Sequence, residues 1–230
     1  MVSRSVAQNA TESSMVNSDA EATSMSVTQN EKATRFRALH NAGTFVIPNP
    51  WDAASARILA SIGFQALATS SAAAASALGK RDGGLTRDEA LAHARLIVNA
   101  TDLPVSADLE KGFGDEPEIV AETIRLAAKA GLVGCTIEDA TRDPDSPLYE
   151  FSLAVERIAA AAEAARSLEF PFLLTARAHN FLFANPSLDD TIGRLQAFDS
   201  HLHGCITGVN SEHSDVLRCH RISPLTLRIA

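Results

Sequence analysis

Asp108 and Glu110 stand two residues apart at the end of one apolar run, and Glu138 with Asp139 closes another. In an extended chain a spacing of two points both side chains to the same face. Three carboxylates converging from neighbouring runs, Asp108, Glu110 and Glu138, offer the hard oxygen donors that suit Mg²⁺, with Mn²⁺ as the alternative. Gly112-Phe113-Gly114 follows directly and lets the chain turn sharply beside them. The competing reading is of acids that cap helices or solvate a rim, and it is the one adopted for Asp115 and Asp139.

Other reactive groups fall at equivalent places. Arg177 and His179 close a further run, and Thr69, Ser70 and Ser71 close an earlier one. Arg177 could clamp a carboxylate or phosphonate with both arms of its guanidinium, or could form a salt bridge to one of the same acids. His179 could act as a general acid or base, or could be a packing residue. Ser70 and Ser71 open an Ala-rich stretch whose free N–H groups could hold a carboxylate, the alternative being an ordinary Ser/Ala helix start. Asp82 lies within Gly79-Lys80-Arg81-Asp82-Gly83-Gly84, a loop by composition. The remaining cluster, His201, His203, Cys205, Cys219 and His220, fits no zinc spacing and is read as incidental.

These groups need a scaffold that brings strand ends together. From about residue 34, β-rich runs at 44–47, 65–69, 104–108, 134–138 and 170–175 alternate with helical stretches near 52–61, 87–100, 117–130, 151–167 and 188–198. The runs are nearly continuous in apolar residues, the pattern of strands covered on both faces. Thr86 with Glu89 and Ser187 with Asp190 mark helix starts, Pro117 fits a first turn, and Gly63 and Gly131 mark helix ends. Five successive βα units imply a parallel sheet, a barrel or a doubly wound one, with chemistry gathered at the carboxyl ends of its strands.

The ends differ from this body. Residues 1–33 are expected to be disordered, since the first 30 contain no Leu, Ile or Phe to bury. At 200 the βα rhythm stops, leaving 200–230 as an atypical tail. The chain has 230 residues, a net charge of −8 and three cysteines. That balance argues against nucleic acid as a partner, no apolar run suits a membrane span, and the cysteines suggest no disulfide framework. A cytoplasmic location is expected; one arginine among three acids in residues 1–30 is a poor mitochondrial presequence.

Over about residues 31–199 the chain resembles the isocitrate lyase/phosphoenolpyruvate mutase superfamily. The resemblance rests on Phe45-Val46-Ile47-Pro48-Asn49-Pro50-Trp51-Asp52, on Thr69-Ser70-Ser71 through Leu78-Gly79, and on Arg81-Asp82. It continues through Ser106-Ala107-Asp108-Leu109-Glu110-Lys111-Gly112-Phe113-Gly114, Thr136-Ile137-Glu138-Asp139 and Thr175-Ala176-Arg177. It implies a (β/α)₈ TIM barrel of the phosphoenolpyruvate/pyruvate domain type, working on small 2-oxo acids through an enolate. By that likeness Asp108, Glu110 and Glu138 hold Mg²⁺, Ser70 and its neighbours bind a carboxylate, Asp82 sits on a gating loop, and Arg177 binds the far end of the substrate. Relatives of this kind form homo-oligomers.

Two departures narrow the expectation. The lyase branch carries a Lys-x-Cys-Gly-His loop where this chain reads Ala140-Thr141-Arg142-Asp143-Pro144-Asp145-Ser146-Pro147, with no cysteine. Mutase-like members have an acid where this chain has His179. The expected activity is therefore cleavage or rearrangement of a carbon–carbon or carbon–phosphorus bond in an oxaloacetate- or phosphonopyruvate-like acid. The barrel is expected to be truncated after its fifth βα unit, with an inactive remnant as the alternative. A dinucleotide-binding enzyme is a weaker rival, since no Gly-x-Gly-x-x-Gly follows the first run.

Overall fold

Local signals set the helices in a computed structural model that describes residues 27–41, 44–182 and 187–202, with the backbone of 206–209. Thr86 and Glu89 close a capping box that starts α4 (Arg87–Ala100), and Pro117 opens α5 (Pro117–Lys129) at its first turn. Gly131 follows α5 with φ +91°, a conformation other residues adopt only under strain. Before these lie α1 (Gln29–Asn41), α2 (Ala53–Ser61) and the short α3 (Ser71–Ala77); after them come α6 (Phe151–Arg166) and α7 (Leu188–Leu202).

Between the helices run β1 (Leu67–Ala68), β2 (Val105–Asp108), β3 (Gly134–Glu138), β4 (Leu173–Ala178) and β5 (Ile206–Val209). All pair in parallel, and the sheet order is the chain order, β1 to β5. Winding without reversal is how a (β/α)₈ barrel is built, whereas a doubly wound sheet reverses direction at a switch point. Among the described strands there is no reversal.

Ile97, Leu109, Ile124, Ile137, Ile158, Leu174 and Phe198 are fully buried in one cluster between sheet and helices. Each such side chain contributes about 1.5–3 kcal/mol by leaving water. α6 brings Ala161, Ala162 and Ala165 to this interface, and their small size lets it lie close against the sheet and α5. α1 covers the amino ends of the strands: Phe36 packs with Ala66, Val133 and Leu173, and Gln29 donates to Ala128 O and Leu132 O. The opposite, carboxyl end is left for chemistry.

Several expectations are corrected. Residues 44–47 form no strand; the segment meets β1 through Pro48 O, which accepts from Ala68 N, while Pro48 and Pro50 have no N–H to continue a ladder. The run expected at 170–175 begins three residues later, after Pro171, so Arg177 lies inside β4. α1 starts within the segment expected to be disordered. α7 crosses the expected boundary at 200, and β5 beyond it pairs with β4, Thr175 opposite Ile206 and Ala178 opposite Val209. The expected disorder of residues 1–26, and the side chains of His203, Cys205, Cys219 and His220, lie outside the described residues. Among the described residues no helix is long and apolar enough to cross a membrane.

Candidate active site

Three neighbouring strands end in charge. Asp108 closes β2, Glu138 closes β3, and Arg177 lies near the end of β4, opposite Glu138 in the parallel register. Their side chains meet on one rim of a cavity of about 690 Å³ that Thr69, Ser70, Ser71, Asp82 and His179 also line.

Asp108 is held from all sides. Ser71 donates both its N–H (3.2 Å) and its hydroxyl (2.9 Å) to Oδ2, while Glu110 N–H (3.1 Å) and Arg177 Nη2 (3.2 Å) approach Oδ1. Thr69 Oγ1 accepts from the Asp108 N–H at 3.2 Å. Burial alone would raise the Asp108 carboxyl, but Arg177 and the donated N–H groups hold it below its usual range. The Ser71 N–H is thus committed to Asp108, and Ser70 Oγ accepts from Ala73 N as the cap of α3. The serines begin a helix and position a carboxylate of the protein itself.

Glu110 takes a left-handed backbone, φ +52°, which is uncommon outside glycine and is found where surrounding structure enforces it. That turn directs its side chain to Arg142, 3.1 Å from Oε2, and leaves the buried Oε1 without a partner. Burial pushes the Glu110 carboxyl up, against the pull of Arg142. Glu138 accepts from Arg177 at Oε2 and has Arg142 3.8 Å from Oε1. Its burial, reinforced by Asp108, raises its pKa to about 7 despite both arginines. His179 Nε2 stands 3.2 Å from Glu138 Oε2 but out of hydrogen-bond alignment. Burial and then Arg177 lower its pKa to about 3, so the imidazole is neutral at physiological pH.

A carboxyl whose folded pKa lies above its unfolded value binds its proton more tightly in the folded state. The stability this contributes is present below about 4.5 and is lost as pH rises through about 7. In EDTA, urea unfolding of the wild type relative to Glu138→Gln is therefore expected to show stability gained as pH falls from 8 to 5. A difference that is flat with pH, or that slopes the other way, would refute the shift.

The structure thus brings Asp108, Glu138, Arg177, His179 and Thr69 together as the sequence suggests, with Glu110 joined through Arg142. It pairs Arg177 with two acids, the salt-bridge alternative of the sequence reading. Asp82 is half exposed on the 79–84 loop, 3.7 Å from Arg142. Among the described residues no three metal-ligating side chains converge as they stand, because the two guanidiniums lie among the carboxylates. Asp139 neither caps a helix nor meets solvent. It is buried, accepts the His179 N–H at 2.9 Å and faces Arg194 Nη1 at 3.3 Å.

Sequence reasoning missed Arg142 and Arg157. Arg142 sits in the loop after β3, and the rule that chemistry gathers after strand ends pointed to it. Arg157, on α6, is fully buried under the Tyr149 ring at 4.0 Å and donates to the carbonyls of Lys111, Gly114 and Asp115. It fixes the loop that carries Glu110, and its helical pattern alone gave no hint of that.

Comparison with known proteins places the fold in a family. The family model for phosphoenolpyruvate phosphomutase matches residues 36–200. A crystal structure from Burkholderia cenocepacia J2315 with a lyase/mutase designation is 48% identical, with a TM-score of 0.76 over 82% of this chain and 76% of that one. The structure of an oxaloacetate acetylhydrolase with its product oxalate is 28% identical, with a TM-score of 0.67 over 74% of this chain and 60% of that one. The 2-methylisocitrate lyase of Escherichia coli (strain K12) is 33% identical over 144 residues, 59% of this chain and 47% of that protein. The chain spans about half the length of the curated relatives it matches.

Proposed function

The chain belongs to the phosphoenolpyruvate phosphomutase family, and on that premise we propose that it is a Mg²⁺-dependent lyase or mutase of a small 2-oxo acid, oxaloacetate- or phosphonopyruvate-like. Its sheet is read as part of a (β/α)₈ barrel. The observation that carries the proposal is the meeting of Asp108 and Glu138 with Arg177 at the carboxyl ends of consecutive strands in one cavity, with Glu110 joined to Glu138 through Arg142.

The residues fit a divalent cation. Glu110 Oε1 is buried without a partner, and burial raises the Glu138 pKa to about 7 even with two guanidiniums beside it. All the donors are hard oxygens. Asp108, Glu110 and Glu138 would hold the cation, which when bound polarises a 2-oxo group and offsets the negative charge of an enolate.

The chain's own residues supply the rest. Arg177 presents a guanidinium able to grip a carboxylate or phosphonate in two-point fashion. Thr69 and Ser71 hold Asp108 in place, and with Ser70 they line the cavity where a substrate carboxylate would lie. His179, neutral and facing the cavity, can hydrogen-bond a substrate oxygen without adding a fixed charge. Asp82, on the 79–84 loop, lies at the mouth and would shield the reaction from water.

Thermal melting tests this. Oxalate, a planar dianion resembling an enolate, is expected to raise the melting temperature only together with Mg²⁺. At about 100 times its dissociation constant a ligand adds about 2.7 kcal/mol, a shift of roughly 5–10 °C in a chain of this size. Asp108→Ala is expected to abolish the shift, and oxaloacetate and phosphonopyruvate turnover is then assayed with that variant as control. An equal shift in Asp108→Ala would sink the proposal. A second reading, a chain that folds but does not turn over, draws on the arginines that hold the carboxylates in ion pairs. It predicts no shift in the wild type.

A further inference from the structure

Arg142 has no role in the reading above, yet it touches three carboxylates on three elements. Nη2 lies 3.1 Å from Glu110 Oε2 and 3.8 Å from Glu138 Oε1, and Nη1 lies 3.7 Å from Asp82 Oδ2. The residue holds a left-handed backbone, φ +70°, in the loop after β3. A non-glycine residue there is strained unless its surroundings enforce it. Its guanidinium also lies against Gly83, close enough to meet a Cβ placed at that position. Gly83, whose φ of +77° itself favours glycine, is where the 79–84 loop comes against this arginine.

We propose that Arg142 is a built-in stand-in for the divalent cation: it bridges Glu110 and Glu138 in the cation-free chain, and its displacement on binding couples occupancy of the acid cluster to movement of the 140–148 and 79–84 loops. The inference rests on the metal reading given above. A divalent ion drawing on Glu110 and Glu138 needs the space and the oxygens that the guanidinium takes, and two cations so close repel. Glu110 Oε1, within a side chain 6% exposed, has no partner even with Arg142 present, so one guanidinium does not satisfy the cluster. A doubly charged ion satisfies it better. Once displaced, Arg142 keeps Asp82, which is half exposed and on the neighbouring loop. The arginine therefore moves from the floor of the cavity toward its mouth, where an anionic substrate enters.

The test is Mn²⁺ binding to the full chain, followed by the paramagnetic resonance of free Mn²⁺, alongside hydrogen exchange of the two loops. Arg142→Gln removes the competing charge and is expected to tighten Mn²⁺ about tenfold, within the usual range of coupling between sites. In the wild type, Mn²⁺ is expected to speed exchange in 140–148, whereas Arg142→Gln should exchange fast with or without it. The metal reading is judged separately: wild-type binding that Asp108→Ala abolishes upholds it. If that holds while Arg142→Gln binds Mn²⁺ equally or more weakly, the stand-in role is overturned. Absence of binding in both wild type and Arg142→Gln overturns both.

Discussion

Arg177→Ala is expected to lower the stability of the cation-free chain by about 3–5 kcal/mol, the usual effect of removing one partner from a buried ion pair. Arg177 is buried and its Nη2 serves both Asp108 and Glu138, so its loss leaves Asp108 without a guanidinium partner and Glu138 with Arg142 alone, 3.8 Å away. The midpoint of urea unfolding in EDTA measures it. Mg²⁺ should recover part of the loss, since a divalent ion replaces the missing charge. Arg177→Lys should fall between, because an ammonium lacks the planar fork. Any turnover found for the wild type should drop roughly 100-fold, the order expected when a substrate is misplaced by about 1 Å. A variant within about 1 kcal/mol of wild type would mean that the pairing carries no weight.

Asp139→Ala is expected to cost about 3 kcal/mol, and Mg²⁺ should restore none of it. The carboxylate is buried, takes the His179 N–H and faces the Arg194 guanidinium, tying α7 to the ends of β3 and β4. Without it Arg194 keeps Asp190 at 2.7 Å and the Tyr149 carbonyl at 3.0 Å, so the loss is less than complete. Comparing the two variants with and without Mg²⁺ separates the acid cluster from its support. Equal recovery by Mg²⁺ in both would contradict the division.

Much of this was legible in the sequence because the signals were local. The Thr86–Glu89 box and Gly131 mark helix boundaries through short-range hydrogen bonds and backbone preference, and α4 and α5 fall where they indicate. The acids at the ends of β2 and β3 were legible because strand ends gather function in parallel folds. The residues that hold the site in shape were not legible. Arg157 and Arg194 look like ordinary helical cations, and only tertiary packing reveals that each is buried with backbone carbonyls as partners. Residues 44–47 read as a strand because β propensity reports fit to a half-buried surface, and the prolines that follow decide the pairing. β5 lies in the stretch where the βα rhythm was expected to stop, yet it finds the edge of β4 through backbone hydrogen bonds that composition does not encode.

The sheet's chain-order winding has a consequence for biogenesis. Every described strand pairs with the strand synthesised just before or just after it, so each pairing closes only one βα unit, the shortest loop a parallel sheet allows. A nascent chain can therefore build the sheet from its amino end as it leaves the ribosome, each βα unit docking on the finished edge of the last. Asp108, Glu138 and Arg177 lie on three successive strands, and their charges meet as soon as β4 docks.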